Sequence, residues 1–402
     1  MPEPLSINLV HLKASETIAI SAETKRRRAA GEEVFDLSLG EPDFDTPPLV
    51  AQAGVQAIQK GMTHYPPNPG IPELRAAIAK NMSAQSGGRP VNPDQILVSS
   101  GSKHSIFNAC FTLFGPNDQV LIPAPAWVSY PQIVHLCRAE PVLVPGDIEW
   151  GLKVSAKDLD KHSTTRTKGL IICSPCNPTG AVYTLAELRS IAEWARKNEV
   201  WIVADEIYQR INYGAVSAPS FLDLPDDLLE RTVVVCGASK AYAMTGWRIG
   251  AAWAPPHVFK GMAALQSHTT TGANHPAQWA AATAFGDERV EADVLRMVAA
   301  FRARRDRLVA RFRRDVPGVE FVEPHGAFYF FFRVDGLTGP GGGGTTFCEK
   351  LMAEEGVALV PGAAFGDDRW VRMSYAVSDK ELDAALERIL RFITSLQVAG
   401  QG

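Results

Sequence analysis

The chain lacks most features that would mark a membrane, metal or nucleic-acid protein. No apolar run approaches the roughly 18 residues that a membrane-spanning helix needs. No His-x-x-x-His occurs and no two Cys-x-x-Cys pairs accompany each other, so a metal site is not expected. Gly-x-x-x-x-Gly-Lys is absent, and no dinucleotide-binding glycine loop is expected either, which argues against nucleotide chemistry. Neither sign of charge dominates: 40 Lys and Arg against 44 Asp and Glu leave −4, far from the basic balance of a nucleic-acid binder. Cysteine is sparse, at six residues.

What is present is ordinary for a soluble globular protein: 46% hydrophobic and 21% charged residues over 402 positions. At roughly 150 residues per domain, two or three domains are expected. A chain this long buries roughly 75% of its unfolded surface and needs no disulfide to hold a core. The stretch Met1-Pro-Glu-Pro-Leu-Ser-Ile-Asn8 has no basic segment followed by an apolar one, so a cytoplasmic location is expected and the cysteines read as free thiols. The run Lys25-Arg-Arg-Arg28 reads as the end of a helix that stops near Gly31, where cations suit the dipole, rather than as a targeting signal.

Along the chain, strand and helix patterns alternate. Short β-branched runs occur at 95–99, 119–123, 169–174, 200–204 and 232–236. A helix is expected from Gly101 through Phe114, and another after the capping box Thr184-Leu-Ala-Glu187, to about Asn198. This predicts an α/β fold whose mostly parallel sheet carries helices on both faces, with ligands at the carboxyl ends of its strands. After about residue 290 a long Arg-rich helix (291–314), strands at 326–334, 357–360 and 370–374, and helices at 345–355 and 379–396 predict a smaller α+β domain.

The strand ends carry the chemistry. Gly101-Ser102-Lys103 follows a strand and opens a helix, whose free N–H groups suit a phosphate. Asp205 closes a strand, where packing alone does not explain a carboxylate. Asn177 sits in the turn after another strand. In Gly237-Ala-Ser-Lys240 a lysine follows a buried strand, where desolvation lowers its pKa and suits imine formation. A phosphate cradle, an imine-forming lysine, a carboxylate for a ring nitrogen and an Asn donor together point to pyridoxal phosphate. Cys173-Ser-Pro-Cys176 straddles a strand end and a Pro-rich turn, which does not suit a redox motif.

Longer matches then accumulate: Leu39-Gly-Glu-Pro-Asp-Phe-Asp-Thr-Pro47, Tyr65-Pro-Pro, Gly70-Ile-Pro-Glu-Leu-Arg75, Trp127-Val-Ser-Tyr-Pro131, Asn177-Pro-Thr-Gly180, Asp205-Glu-Ile-Tyr208 and Ser239-Lys-Ala-Tyr-Ala-Met-Thr-Gly-Trp-Arg248. In this order and over nearly its whole length the sequence resembles the class I aminotransferases, fold-type I pyridoxal-phosphate enzymes. Within them it looks most like the bacterial aspartate and aspartate/prephenate branch. The resemblance implies a large cofactor domain at 48–290, a small domain at 291–402, and an N-terminal arm at 1–47 that contributes to the small domain. It implies that Lys240 bonds the cofactor and acts as general base, that Asp205 pairs with the pyridine nitrogen, and that Asn177 and Tyr208 meet the phenolic oxygen. Trp127 would stack on the ring. Gly101, Ser102, Lys103, Ser239 and Arg248 would hold the phosphate, joined by Tyr65 from a neighbouring subunit, so a homodimer with shared sites is implied. Thr269–Thr271 would add a cross-subunit contact. Arg372 and Gly40 would bind the substrate α-carboxylate.

The same resemblance implies ping-pong transamination of aspartate and glutamate with their 2-oxo acids, with prephenate a further candidate. Lys103 would meet a distal carboxylate, with Thr17 and Lys13 beside the pocket. Cys176, Ser102, His104 and the run Gly341–Gly344 depart from close aspartate enzymes. The alternatives are an aromatic, alanine or kynurenine aminotransferase, a C–S β-lyase, or a non-catalytic regulator. Lys103 speaks against the other enzymes. The short segment before Leu37 speaks against a regulator with an added DNA-binding domain.

Overall fold

The computed structural model describes residues 6–12, 16–214, 217–339 and 341–399. Lys13 lies outside them. Thr17 falls in the helix Glu16–Ala29, but its side chain is not described.

A seven-stranded sheet runs in the order Ile96–Ser99, Gly250–Trp253, Thr232–Gly237, Trp201–Asp205, Thr167–Cys173, Gln119–Ala124, Glu140–Pro145. Only Gly250–Trp253 runs against its neighbours. The period-two geometry of a strand sends successive side chains to opposite faces, and two separate cores result. Leu97, Val120, Ile122, Ile171, Val203, Val233 and Val235 face one, with Ile106 and Ala109 of the helix Ser102–Leu113. Ile96, Val98, Leu121, Leu170, Ile202 and Val234 face the other, with Leu188 and Ile191 of the helix Leu185–Lys197. Both faces of each central strand are therefore apolar, as a sheet covered on two sides requires.

The predicted elements recur with shifted ends. The helix after Thr184 is closed by the capping box: Thr184 Oγ1 accepts from Glu187 N–H and Glu187 accepts from Thr184 N–H. The basic run ends the first helix, and Gly31 follows at φ +86°. Gly250–Trp253 and Glu140–Pro145 were not expected. The first is short and built of small residues, with no β-branched signal. The second is an edge strand, partly exposed and interrupted by proline. The expected strand at 326–334 begins only at Tyr329, because Ala327 adopts φ +56° and turns the chain first. The apolar stretch 357–360 is two strands, not one. Val357–Ala358 pairs in parallel with Phe35–Asp36, and Val360–Pro361 pairs antiparallel with Trp370–Ser374. An apolar run cannot reveal that its two halves join different sheets. Gly339, Gly341 and Gly344 do have the spacing Gly-x-Gly-x-x-Gly. They follow a strand of this antiparallel sheet and no βαβ unit, so the context of a dinucleotide site is missing.

That second sheet orders Val360–Pro361, Trp370–Ser374, Tyr329–Arg333 and Phe321–Val322. Its phenylalanines pack on the long helix Glu291–Asp315, where the Phe312 ring lies 4.6 Å from Phe330 and 5.1 Å from Phe332.

Two glycines set the distance between the helix Ser102–Leu113 and the main sheet. Gly237 and Gly250 pair across neighbouring strands. A Cβ on Gly250 would stand 2.1 Å from Ser102 N, and one on Gly237 would stand 2.3 Å from Ser102 Oγ. The helix start therefore rests directly on backbone. Gly250→Ala is expected to displace it and to destabilise the protein by about 1–3 kcal/mol, the usual cost of overpacking. Thermal melting and cofactor retention on gel filtration check this, and a variant with unchanged retention contradicts it.

Candidate active site

Four of the parallel strands deliver a site residue at or just beyond their carboxyl ends. Asp205 is the last residue of its strand, Trp127 and Lys240 each follow a strand by three residues, and Asn177 lies in the turn after Cys173. Together with Ser102, Lys103, Tyr208, Ser239, Arg248, Gly40 and Arg372 they line one cavity of about 380 Å³. The cavity wall carries four cations, Lys103, Lys240, Arg248 and Arg372, against two carboxylates, Asp205 and Glu41. That surplus suits an anionic occupant.

At the end of the cavity formed by the start of the helix Ser102–Leu113, the first helical donors are His104 and Ser105, both to Gly101 O. The N–H groups of Ser102 and Lys103 are thus left for a ligand at the positive end of the helix. Gly101 has φ +85°, and a Cβ there would stand 2.3 Å from Arg248 Nη2. Arg248 itself sits at φ +57°, a conformation that costs a non-glycine residue about 1–3 kcal/mol. Its Nη1 donates to Thr245 O at 2.9 Å. The Ser102 hydroxyl donates to Cys236 O at 2.8 Å, so its proton is already committed.

At the centre, Lys240 Nζ donates to Gly40 O. Burial, together with the positive charges of Arg248 and Arg372, holds the lysine down at about 8 against the pull of Glu41 and Asp205. Burial pushes Asp205 up to about 6. Tyr130 Oη donates to Asp205 Oδ2 at 2.7 Å and Ile207 N–H to Oδ1 at 3.2 Å, and both oppose that rise. The carboxylate is therefore ionised at neutral pH. Tyr208 shares a hydrogen bond of 2.8 Å with Tyr329, and burial keeps its phenol protonated.

At the far end, Arg372 is buried in the strand Trp370–Ser374. Nη1 donates to Asn177 Oδ1 at 3.1 Å and Nη2 to Ser38 O at 2.6 Å. Its Nε has no partner among the described residues. The guanidinium lies 4.5 Å from the Tyr329 ring and 5.0 Å from Phe365, so its plane is fixed. A buried fork with an unspent donor is suited to a carboxylate. Lys103 Nζ lies 4.9 Å from the Trp127 ring, with no carboxylate partner among the described residues. The residue is exposed as a whole, but partial desolvation of its ammonium and the Arg248 charge lower its pKa.

The donors fit pyridoxal phosphate: a cradle at a helix start, a desolvated lysine, an ionised buried carboxylate and a surplus of positive charge. Two of the expected cofactor residues do not line the cavity: Gly101 lies against the Arg248 guanidinium at its edge, and Tyr65 has 88% of its surface exposed. Tyr130, Tyr329, Ser38 and Glu41 line the site without having been assigned to it. Tyr329 is the single hydroxyl in Tyr329-Phe-Phe-Phe332, a signal that the apolar run masked. Cys173 also lines the cavity, its thiol donating to Pro175 O at 3.2 Å, and all six cysteines are free.

Known proteins share this architecture. The family described as aminotransferase class I and II matches residues 32–389. A bifunctional aspartate aminotransferase and glutamate/aspartate-prephenate aminotransferase of Petunia hybrida is 42% identical, over 98% of this chain and 83% of its own length. The aspartate aminotransferase of Bacillus subtilis is 38% identical, over 95% of this chain and 97% of its own. The structure of the Thermus thermophilus aspartate aminotransferase with maleate superposes with a TM-score of 0.91 at 37% identity, covering 97% of this chain and all of that one. With cavity, donors and relatives in agreement, the chain belongs to the class I and II aminotransferases and is a pyridoxal-phosphate-dependent transferase of amino groups.

Proposed function

We propose that the enzyme moves the amino group between aspartate or glutamate and a 2-oxo acid, with prephenate as a further acceptor. The observation that carries this reading is the pairing, in one cavity, of the buried Arg372 fork with Lys103, a second cation that has no carboxylate partner among the described residues. A dicarboxylate needs two such anchors. The relatives named for aspartate and prephenate support it.

The residues divide the work. Arg372 and the Gly40 backbone hold the α-carboxylate, and Lys103 takes the distal one. Lys13 and Thr17 belong to the same end of the pocket by family resemblance. The N–H groups of Ser102 and Lys103, with Gly101, Ser239 and Arg248, hold the phosphate. Trp127 covers the ring, Asn177 and Tyr208 meet its phenolic oxygen, and Asp205 pairs with its nitrogen. Bound pyridoxal phosphate supplies an electron sink for the charge left when a proton departs from the substrate Cα. Lys240, poised near neutrality, is the base that takes that proton.

We also read the protein as a cytoplasmic homodimer. Six free cysteines fit a reducing compartment. Exposed Tyr65 and the exposed Thr269–Thr271 lie on one surface: Gly272 packs beside Pro66, and His275 Nδ1 lies 3.0 Å from His64 O. Both would reach a neighbouring site from there. The parallel pairing of Phe35–Asp36 with Val357–Ala358 supports an N-terminal arm (1–47) that joins a small domain (291–402), with the large domain at 48–290 between.

Amino donors compared with 2-oxoglutarate as acceptor test the substrate reading, and aspartate no better than phenylalanine or alanine overturns it. Lys103→Ala should lower kcat/KM for aspartate by about 10²-fold, as expected for a lost bond to a charged group, and leave alanine nearly unchanged. Arg372→Lys, which removes the fork, should raise KM for every amino donor at least about tenfold. In cofactor-free protein only neutral Lys240 is nucleophilic. The rate of covalent cofactor attachment should therefore rise with pH through about 8 and level off above, as stopped-flow absorbance will record.

A further inference from the structure

Asp205 is buried at the end of its strand, and among the described residues one side chain, Tyr130, holds its carboxylate. Tyr130 opens the helix Ser129–Leu136 and is itself buried. Its ring meets Trp127 edge-on, with centroids 5.3 Å apart and planes at 83°. One phenol thus joins the residue expected under the cofactor's nitrogen to the residue expected over its face. A phenol that donates to a carboxylate stabilises the charged form and not the neutral one. Tyr130 remains a donor throughout, because burial and the Asp205 charge push its own ionisation far up.

We propose that Tyr130 is a positioning residue for the cofactor, its hydroxyl keeping the Asp205 carboxylate ionised and aimed at the pyridine nitrogen while its ring sets the tilt of Trp127. The inference rests on the reading of Asp205 given above. The other groups that sense Asp205 do not replace this contact. Among the described residues Lys240 is the one cation acting on it, and that lysine is assigned to the substrate proton. Glu206 is a second carboxylate, held by Ser220 Oγ at 2.7 Å and Phe221 N–H at 2.8 Å, and pushed up to about 8 by burial. Its hydrogen bond with Cys176 and burial push the Cys173 thiol up, and burial pushes up Cys236, with the Asp205 charge adding to both, so these two add no charge, whereas Cys176 is held down chiefly by its hydrogen bond with Cys173. Without the phenol, the Ile207 N–H and the Lys240 charge are what oppose burial among the described residues, and the shared proton moves from the ring nitrogen toward Asp205.

The test uses Tyr130→Phe, which removes one oxygen and keeps the ring, in holoenzyme loaded with pyridine-¹⁵N cofactor. The nitrogen resonance at neutral pH should move toward the unprotonated value. Cofactor affinity should fall about tenfold, as for a lost hydrogen bond to a charged group. The loss in turnover should appear in kcat, with KM for aspartate unchanged. 3-Fluorotyrosine at position 130 is a stronger donor of nearly the same size and should move the resonance the opposite way; this arm decides the matter if Tyr130→Phe does not fold. In an Asp205→Asn background Tyr130→Phe should add nothing. An unchanged resonance and affinity in Tyr130→Phe, with both altered in Asp205→Asn, overturns the role of Tyr130 alone. An unchanged resonance in Asp205→Asn overturns the reading of Asp205 itself.

Discussion

The approach of one helix to one sheet governs the site. Gly237 and Gly250 face each other on adjacent strands, and the start of the helix Ser102–Leu113 rests on them without side chains between. That contact sets where two N–H groups point, and Arg248 then crosses over Gly101 at a distance no Cβ would allow. The phosphate end of the pocket is therefore defined by the absence of atoms. Lys240, three residues beyond Gly237 on the same strand exit, inherits its position from that register.

Burial then turns position into reactivity. The same desolvation acts in opposite directions on opposite charges: it lowers Lys240 to about 8 and raises Asp205 to about 6. A lysine that can be neutral and a carboxylate that remains charged can coexist near pH 7 only because neighbours correct each case. Tyr130 and Ile207 retain the charge on Asp205, and Arg248 and Arg372 discourage it on Lys240. The cation surplus in the cavity leaves room for the charges that cofactor and substrate bring.

Much of this was legible in the sequence where a polar residue interrupts an apolar pattern. Asp205, Asn177 and Lys240 stand at strand ends, where packing offers them no reason to be, and the parallel α/β order follows from the alternation itself. The rest was hidden for physical reasons. Tyr130 and Tyr329 sit among aromatic and aliphatic neighbours, so their hydroxyls leave no trace in hydropathy. Gly250–Trp253 has too little side chain to register as a strand. The division of 357–360 between two sheets depends on a partner more than 300 residues away. Lys13 lies outside the described residues, and Thr17 enters only through its helix.

That distant pairing has a consequence for how the molecule is made. Phe35 meets Val357, and Arg372 reaches back to Ser38 O. During synthesis the large sheet and its lysine emerge well before the last strand exists. Arg372, proposed above as the carboxylate anchor, therefore arrives when the chain is nearly finished, as long-range contacts of this kind are slow to form. A nascent chain can assemble the cofactor cradle before it can grip a substrate, so the two halves of the site ripen in sequence.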